Sequence, residues 1–206
     1  MNIISNNCLG GFIYKDFLQI KYENPFIFSR MNYEDFLYLL VNYENINFEN
    51  FELIKESDKL EKFRIIIDNK IKVQFNHYKF DKDCIIPTVK IFNDEKTMRT
   101  TTNVYYNKIW EYIVEKYEQR IKRMSKKIDL IALDVDDKND IDVNKILEVC
   151  KKKNYIVFAC TNKIPEETSD NIIVRKRIQH YDRSPQPSEV WQDYQEEIKT
   201  LLKIKG

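Results

Sequence analysis

The chain has 206 residues, with 34 Lys and Arg against 33 Asp and Glu and a formal net charge of +1. That balance provides no overall field to recruit nucleic acid or an acidic membrane surface. A hydrophobic content of 43%, with 13% aromatics, excludes a disordered chain and supports a packed core.

The length points to a single domain over 1–206. Cys8, Cys84, Cys150 and Cys160 lack C-x-x-C spacing, which argues against both a zinc site and a disulfide framework. The opening Met1-Asn2-Ile3-Ile4 carries no basic n-region or long apolar stretch. No run reaches the ~18–20 apolar residues of a membrane span. A cytoplasmic protein with reduced thiols and no transmembrane segment is the resulting expectation.

In chain order, Asn2-Ile3-Ile4-Ser5 reads as a strand. A glycine turn at Gly10-Gly11 follows, then a helix with Phe12, Ile13 and Phe17 on its apolar side. Asn24-Pro25 breaks the chain before a short strand at Phe26-Ile27-Phe28. Asn32 caps a helix running to about residue 44, with Asp35 suited to its positive end. Phe63–Ile67 and Ile71–Phe75 flank Asp68-Asn69-Lys70 and predict a β-hairpin, because Asp and Asn tolerate the left-handed conformation of tight turns.

Residues 79–103 read as an irregular insertion. A long helix over 104–124 follows, with Ile109, Ile113, Tyr117 and Ile121 repeating every four. Leu130–Leu133, Val143–Lys153 and Tyr155–Cys160 form a strand-helix-strand crossover. Ile172-Ile173-Val174 fits one more strand, and a C-terminal helix is expected over about 188–203. The fold class is α/β: a Rossmann-like, mostly parallel sheet with an antiparallel hairpin and helices on both faces.

The chain has three glycines, where an average composition of roughly 7% would give about fourteen. Gly10 and Gly11 are adjacent and the third is C-terminal, so the pair marks a place where a Cβ is excluded by positive φ or by close approach. Asn6 and Asn7 precede it, with Cys8 beside it. A turn at the carboxyl end of a parallel strand is where ligands sit in open α/β sheets. Free amides leading into a helix hold a phosphate or oxyanion, and a helix N-terminus lowers a thiol pKa. The same residues also fit a tight strand-to-helix turn with a buried, inert cysteine.

His77, one of two histidines, ends a predicted strand and would complete a Cys8–His77 pair in which imidazole takes the thiol proton. Asp81 and Asp83 are candidates to orient the ring. A strand-end histidine bonded to backbone is the alternative. Asp134 and Asp136 follow a strand with the spacing of a D-x-D site for Mg²⁺ or Mn²⁺ and a nucleoside diphosphate, or they serve as capping acids. Arg120 and Arg123, three apart on a helix, form a phosphate or carboxylate clamp or a solvated basic face.

Ile4-Ser5-Asn6-Asn7-Cys8-Leu9-Gly10-Gly11, then Tyr14 and Pro25 before Phe26, resembles the opening of a bacterial domain family of unknown function. That family is found in exopolysaccharide and capsule biosynthesis clusters, and its members begin I-S-N-N-C-x-G-G. The resemblance continues at His77-Tyr78-Lys79, along the Tyr117–Met124 helix and at Thr161-Asn162-Lys163, covering most of residues 1–165. Leu9 stands where an aromatic is usual, Tyr117 and Gln119 replace a Trp and the first Arg, and residues 80–105 are expanded. A more distant likeness to a papain-like cysteine peptidase family pairs an early cysteine with a similar helix.

The resemblance implies a pathway rather than a reaction. The leading expectation is a capsular or exopolysaccharide biosynthesis protein, a transferase or hydrolase acting on an activated or lipid-linked glycan precursor. Cys8 and His77 would be catalytic, with Asn6, Asn7, Gly10, Gly11, Arg120 and Arg123 binding ligand. One alternative is a metal-dependent nucleotide-sugar glycosyltransferase using Asp134 and Asp136. The other is a non-catalytic assembly protein, forming homo-oligomers or joining capsule-assembly partners.

Overall fold

The computed structural model describes residues 1–19, 24–26, 29–55, 63–75, 111, 114–138, 140–178 and 186–202. His77, the insertion at 79–103 and Cys84 lie outside them.

Two sheets organise the chain. The larger has strands in the order β1 (Ile3–Ser5), β6 (Leu130–Val135), β7 (Val157–Thr161), β9 (Ile172–Arg175) and β8 (Glu167–Thr168). The first four are mutually parallel, and β8 runs antiparallel to β9. Strands β6 and β7 are buried along their whole length, because helices or a second sheet cover both faces. Alternate residues therefore feed different cores. Ile4, Ile131, Leu133, Val135, Val157 and Ala159 join one, and Ile3, Leu130, Ala132, Phe158 and Cys160 the other.

Helix α1 (Leu9–Phe12) continues as a π-helix over Ile13–Leu18. It packs with α5 (Pro187–Leu201) on one face of the sheet, where Leu9, Ile13, Tyr14, Val190, Trp191, Tyr194 and Ile198 are buried. The opposite face takes α4 (Val143–Lys153), α2 (Tyr33–Asn42) and the second sheet. That sheet is antiparallel, in the order β2 (Ser29–Met31), β5 (Ile71–Phe75), β4 (Phe63–Ile67), β3 (Phe51–Lys55). The predicted hairpin is β4–β5, so it belongs to this separate sheet rather than to the parallel one. Asp68 and Asn69 at its tip both have positive φ, 52° and 56°.

Local signals explain several boundaries. The Asn32 side chain accepts from Asp35 N–H at 2.7 Å and starts α2. Asp142 does the same for α4 from Lys145 N–H at 3.1 Å, and left-handed Asn154 ends that helix. Residues 114–123 form a helix, α3, within the predicted 104–124 span. Of the strand predicted at 26–28, Ile27 and Phe28 lie outside the described residues, and β2 spans Ser29–Met31; β3 and β8 were not anticipated. The structure departs most at the glycines. Gly10 and Gly11 lie inside α1 rather than in a turn, and neither has positive φ. Gly10 answers to close approach instead: a Cβ there would stand 3.0 Å from Ser5 Cβ on β1.

The short edge strand β1 is held from outside by side chains. Tyr14 Oη accepts from Ile3 N–H at 3.1 Å and donates to Met1 C=O, and Asn24 Nδ2 donates to Ile3 C=O at 2.7 Å. Among the described residues, no helix is long and apolar enough to cross a membrane.

Candidate functional site

The carboxyl ends of β1, β6, β7 and β9 lie side by side, and the residues that follow them make one connected polar cluster. Asn6, just after β1, reproduces a peptide group with its side chain. Its Oδ1 accepts from Asp134 N–H at 3.0 Å and its Nδ2 donates to Asp134 C=O at 2.9 Å. Asn7 Nδ2 donates to Asp134 Oδ2 at 3.0 Å, while its Oδ1 accepts from Leu9 N–H at 2.9 Å. The start of α1 is thereby tied to the carboxylate on β6.

Asp134 is the hub of the cluster. Its strand continues to Val135, so the carboxylate is buried within the sheet rather than displayed beyond it. Arg177, two residues past β9, places one guanidinium nitrogen 3.2 Å from Asp134 Oδ1 and another 3.4 Å from Asp136 Oδ2. The side chains of Arg177 and Asp134 are only 6% and 3% exposed, so this pair works in a poorly solvated setting. Asp134 Oδ1 is at ion-pair distance but out of line for a hydrogen bond. Burial raises the Asp134 pKa above the ordinary carboxylate value, against the opposing pull of Arg177 and Asn7. Asn162, after β7, completes the bracing: its Oδ1 accepts from Arg177 N–H at 3.0 Å and its Nδ2 donates to Asp137 at 3.3 Å.

Cys8 is half-buried at the N-cap of α1. The expected lowering of its pKa is not what its surroundings produce: burial pushes the thiol above its ordinary value. The amides expected to cradle an anion are partly used within the chain, since Gly11 N–H donates to Cys8 C=O at 3.0 Å and Leu9 N–H to Asn7. The rate of alkylation by iodoacetamide is therefore expected to climb with pH only beyond the ordinary thiol range. An inflection below about 8.5, the value of a free thiol, would show instead that Cys8 rests as a thiolate.

The structure thus brings Asn6 and Asn7 to Asp134, with Cys8 next in sequence to Asn7, and Arg177 links Asp134 to Asp136. The partner of Cys8 in the expected dyad, His77, lies outside the described residues. Half-buried Arg120 and exposed Arg123 sit on α3, whose end leads into the amino-terminal edge of the sheet, opposite to Cys8. The Asp134 and Asp136 carboxylates, expected to bridge Mg²⁺ or Mn²⁺, face the Arg177 guanidinium. Among the described residues, no group of three or more His, Cys, Asp or Glu is arranged to hold a metal ion.

Sequence reasoning missed Arg177 altogether. The signal available was indirect: a buried strand-end aspartate needs a cation, and Arg175 ends the next parallel strand but one, with Lys176 and Arg177 directly after it.

No curated protein and no solved structure matches the chain. Residues 1–85, from the first strand through the hairpin and including Asn6, Asn7 and Cys8, match the family model described as Domain of unknown function (DUF1919).

Proposed function

We propose that this chain is a transferase or hydrolase of capsular or exopolysaccharide biosynthesis, taking an activated or lipid-linked glycan precursor at the carboxyl edge of its parallel sheet. The pathway rests on the resemblance of Ile4–Gly11 to the I-S-N-N-C-x-G-G opening. The observation that carries the site is Cys8, half-buried at that edge and one residue from Asn7, which is bonded to the Asp134 carboxylate. Ligands of open α/β sheets bind at this edge.

In this reading Cys8 Sγ attacks the electrophilic centre of the precursor and the activating group departs with its electron pair. Because burial keeps Cys8 a thiol, a base must remove its proton during attack, and His77 is that base. Water or an acceptor hydroxyl then releases the covalent intermediate. Asn6, Asn7 and Arg177 hold the edge in register, and Asp134 supplies a buried carboxylate beside it. Arg177 already provides the positive charge between Asp134 and Asp136, so no observation favours the metal-dependent alternative. The apolar side of α5 is spent on the chain's own sheet, so it is not offered to an assembly partner.

Deleting the gene in its host and quantifying surface polysaccharide tests the reading. Loss on deletion, restored by the wild type and not by Cys8→Ser, is expected. Unchanged polysaccharide in the deletion strain rules out the pathway, and full restoration by Cys8→Ser rules out the nucleophile.

A further inference from the structure

At the opposite edge, where the parallel strands begin, a cavity of about 400 Å³ opens between the end of α3, the end of α4 and the segments entering β6 and β7. Its volume is within the ~300–1,000 Å³ of small-molecule sites. Lys126, Lys127 and Lys153 line it, with Tyr43, Tyr155 and Asn171.

The wall also contains two carboxylates, and both are engaged. Glu44 faces Lys153 at 3.9 Å, and Asp129 Oδ2 accepts from Asn2 N–H at 2.7 Å. Among the described residues no carboxylate pairs with Lys126 or Lys127. Their ammonium groups are exposed, yet the backbone that carries them is anchored. Buried Asn2 donates from Nδ2 to Ser125 C=O and Lys127 C=O, each at 3.0 Å, and Tyr43 Oη donates to Ser125 C=O at 2.9 Å. Two unmatched cations on a fixed loop, facing a third across a concave wall, suit a compact multivalent anion because little ordering is left to be done on binding.

We propose that this cavity binds a phosphate-bearing ligand, a pyrophosphate or phosphomonoester group seated between Lys126, Lys127 and Lys153. The site is separate from the Cys8 edge and does not depend on the function proposed there. The same chemistry is offered by a soluble phosphate compound or by a phospholipid headgroup, so the experiment has two arms.

Inorganic pyrophosphate is titrated into the full chain by calorimetry. In parallel, the chain is sedimented with phosphatidylcholine vesicles with and without phosphatidic acid. Each arm is repeated with Lys126→Ala/Lys127→Ala and, as a control of equal charge on the other edge, Lys138→Ala/Lys145→Ala. Binding of pyrophosphate that weakens at least about tenfold in the first double variant, weakens with salt and survives in the control is the expected result. Sedimentation only with phosphatidic acid vesicles, with the same lysine dependence, also supports the site and assigns the phosphate to a lipid. Binding in neither arm, or binding unaffected by Lys126→Ala/Lys127→Ala while its unfolding transition matches the wild type, overturns it.

Discussion

Arg177→Met is expected to cost about 3–5 kcal/mol of folding stability, the range for removing one partner of a buried ion pair. The reason is the orphaned charge more than the lost attraction. Asp134 is buried, and Arg177 is the cation that faces its Oδ1. Urea denaturation should show a lower midpoint with an unchanged slope. Asp134→Leu combined with Arg177→Met should recover much of the loss, since no buried charge is then left unpaired.

The pH dependence has a definite sign. Without Arg177 the Asp134 pKa, already raised by burial, rises further in the folded state. A carboxylate with a raised folded pKa adds stability below its unfolded value and loses it as pH climbs through the folded one. The Arg177→Met penalty should therefore be smaller near about pH 4 than at neutral pH. A loss under about 1 kcal/mol, or a penalty independent of pH, would show that the pair is solvated.

Asn2→Asp is the second large effect, and it should exceed Asn2→Ala. Asn2 is fully buried and joins four segments. Its Nδ2 reaches Tyr43 Oη at 2.5 Å and two carbonyls, and its Oδ1 accepts from Asn24 Nδ2 at 3.0 Å. Alanine leaves several buried groups without a partner, at about 1–3 kcal/mol each before relaxation. Aspartate adds a carboxylate facing the Ser125 and Lys127 carbonyls. Thermal unfolding of both variants decides the matter, and a neutral Asn2→Ala would show that water replaces the side chain. The same loop carries Lys126 and Lys127, so Asn2 variants should also blunt phosphate binding at the amino edge.

Local chemistry was readable along much of the chain. The Asn32 cap, the positive-φ pair Asp68-Asn69, the Val143–Lys153 helix and the doubly buried β6 and β7 each follow from periodicity or from a side chain acting within a few residues. The α/β class followed from the strand-helix-strand run at 130–160. Beyond that range the sequence was silent. Asn6 contacts Asp134 across 128 positions, and Arg177 reaches the same carboxylate from two strands away. Those contacts exist because β1 pairs with β6 after an intervening sheet, and because β7 and β9 stack next to it in parallel. No spacing rule encodes that neighbourhood. The glycine pair shows the same division. Composition marked it as a place where a Cβ does not fit, but only the packing of α1 on β1 showed that Ser5, and not a ligand, occupies the space at Gly10.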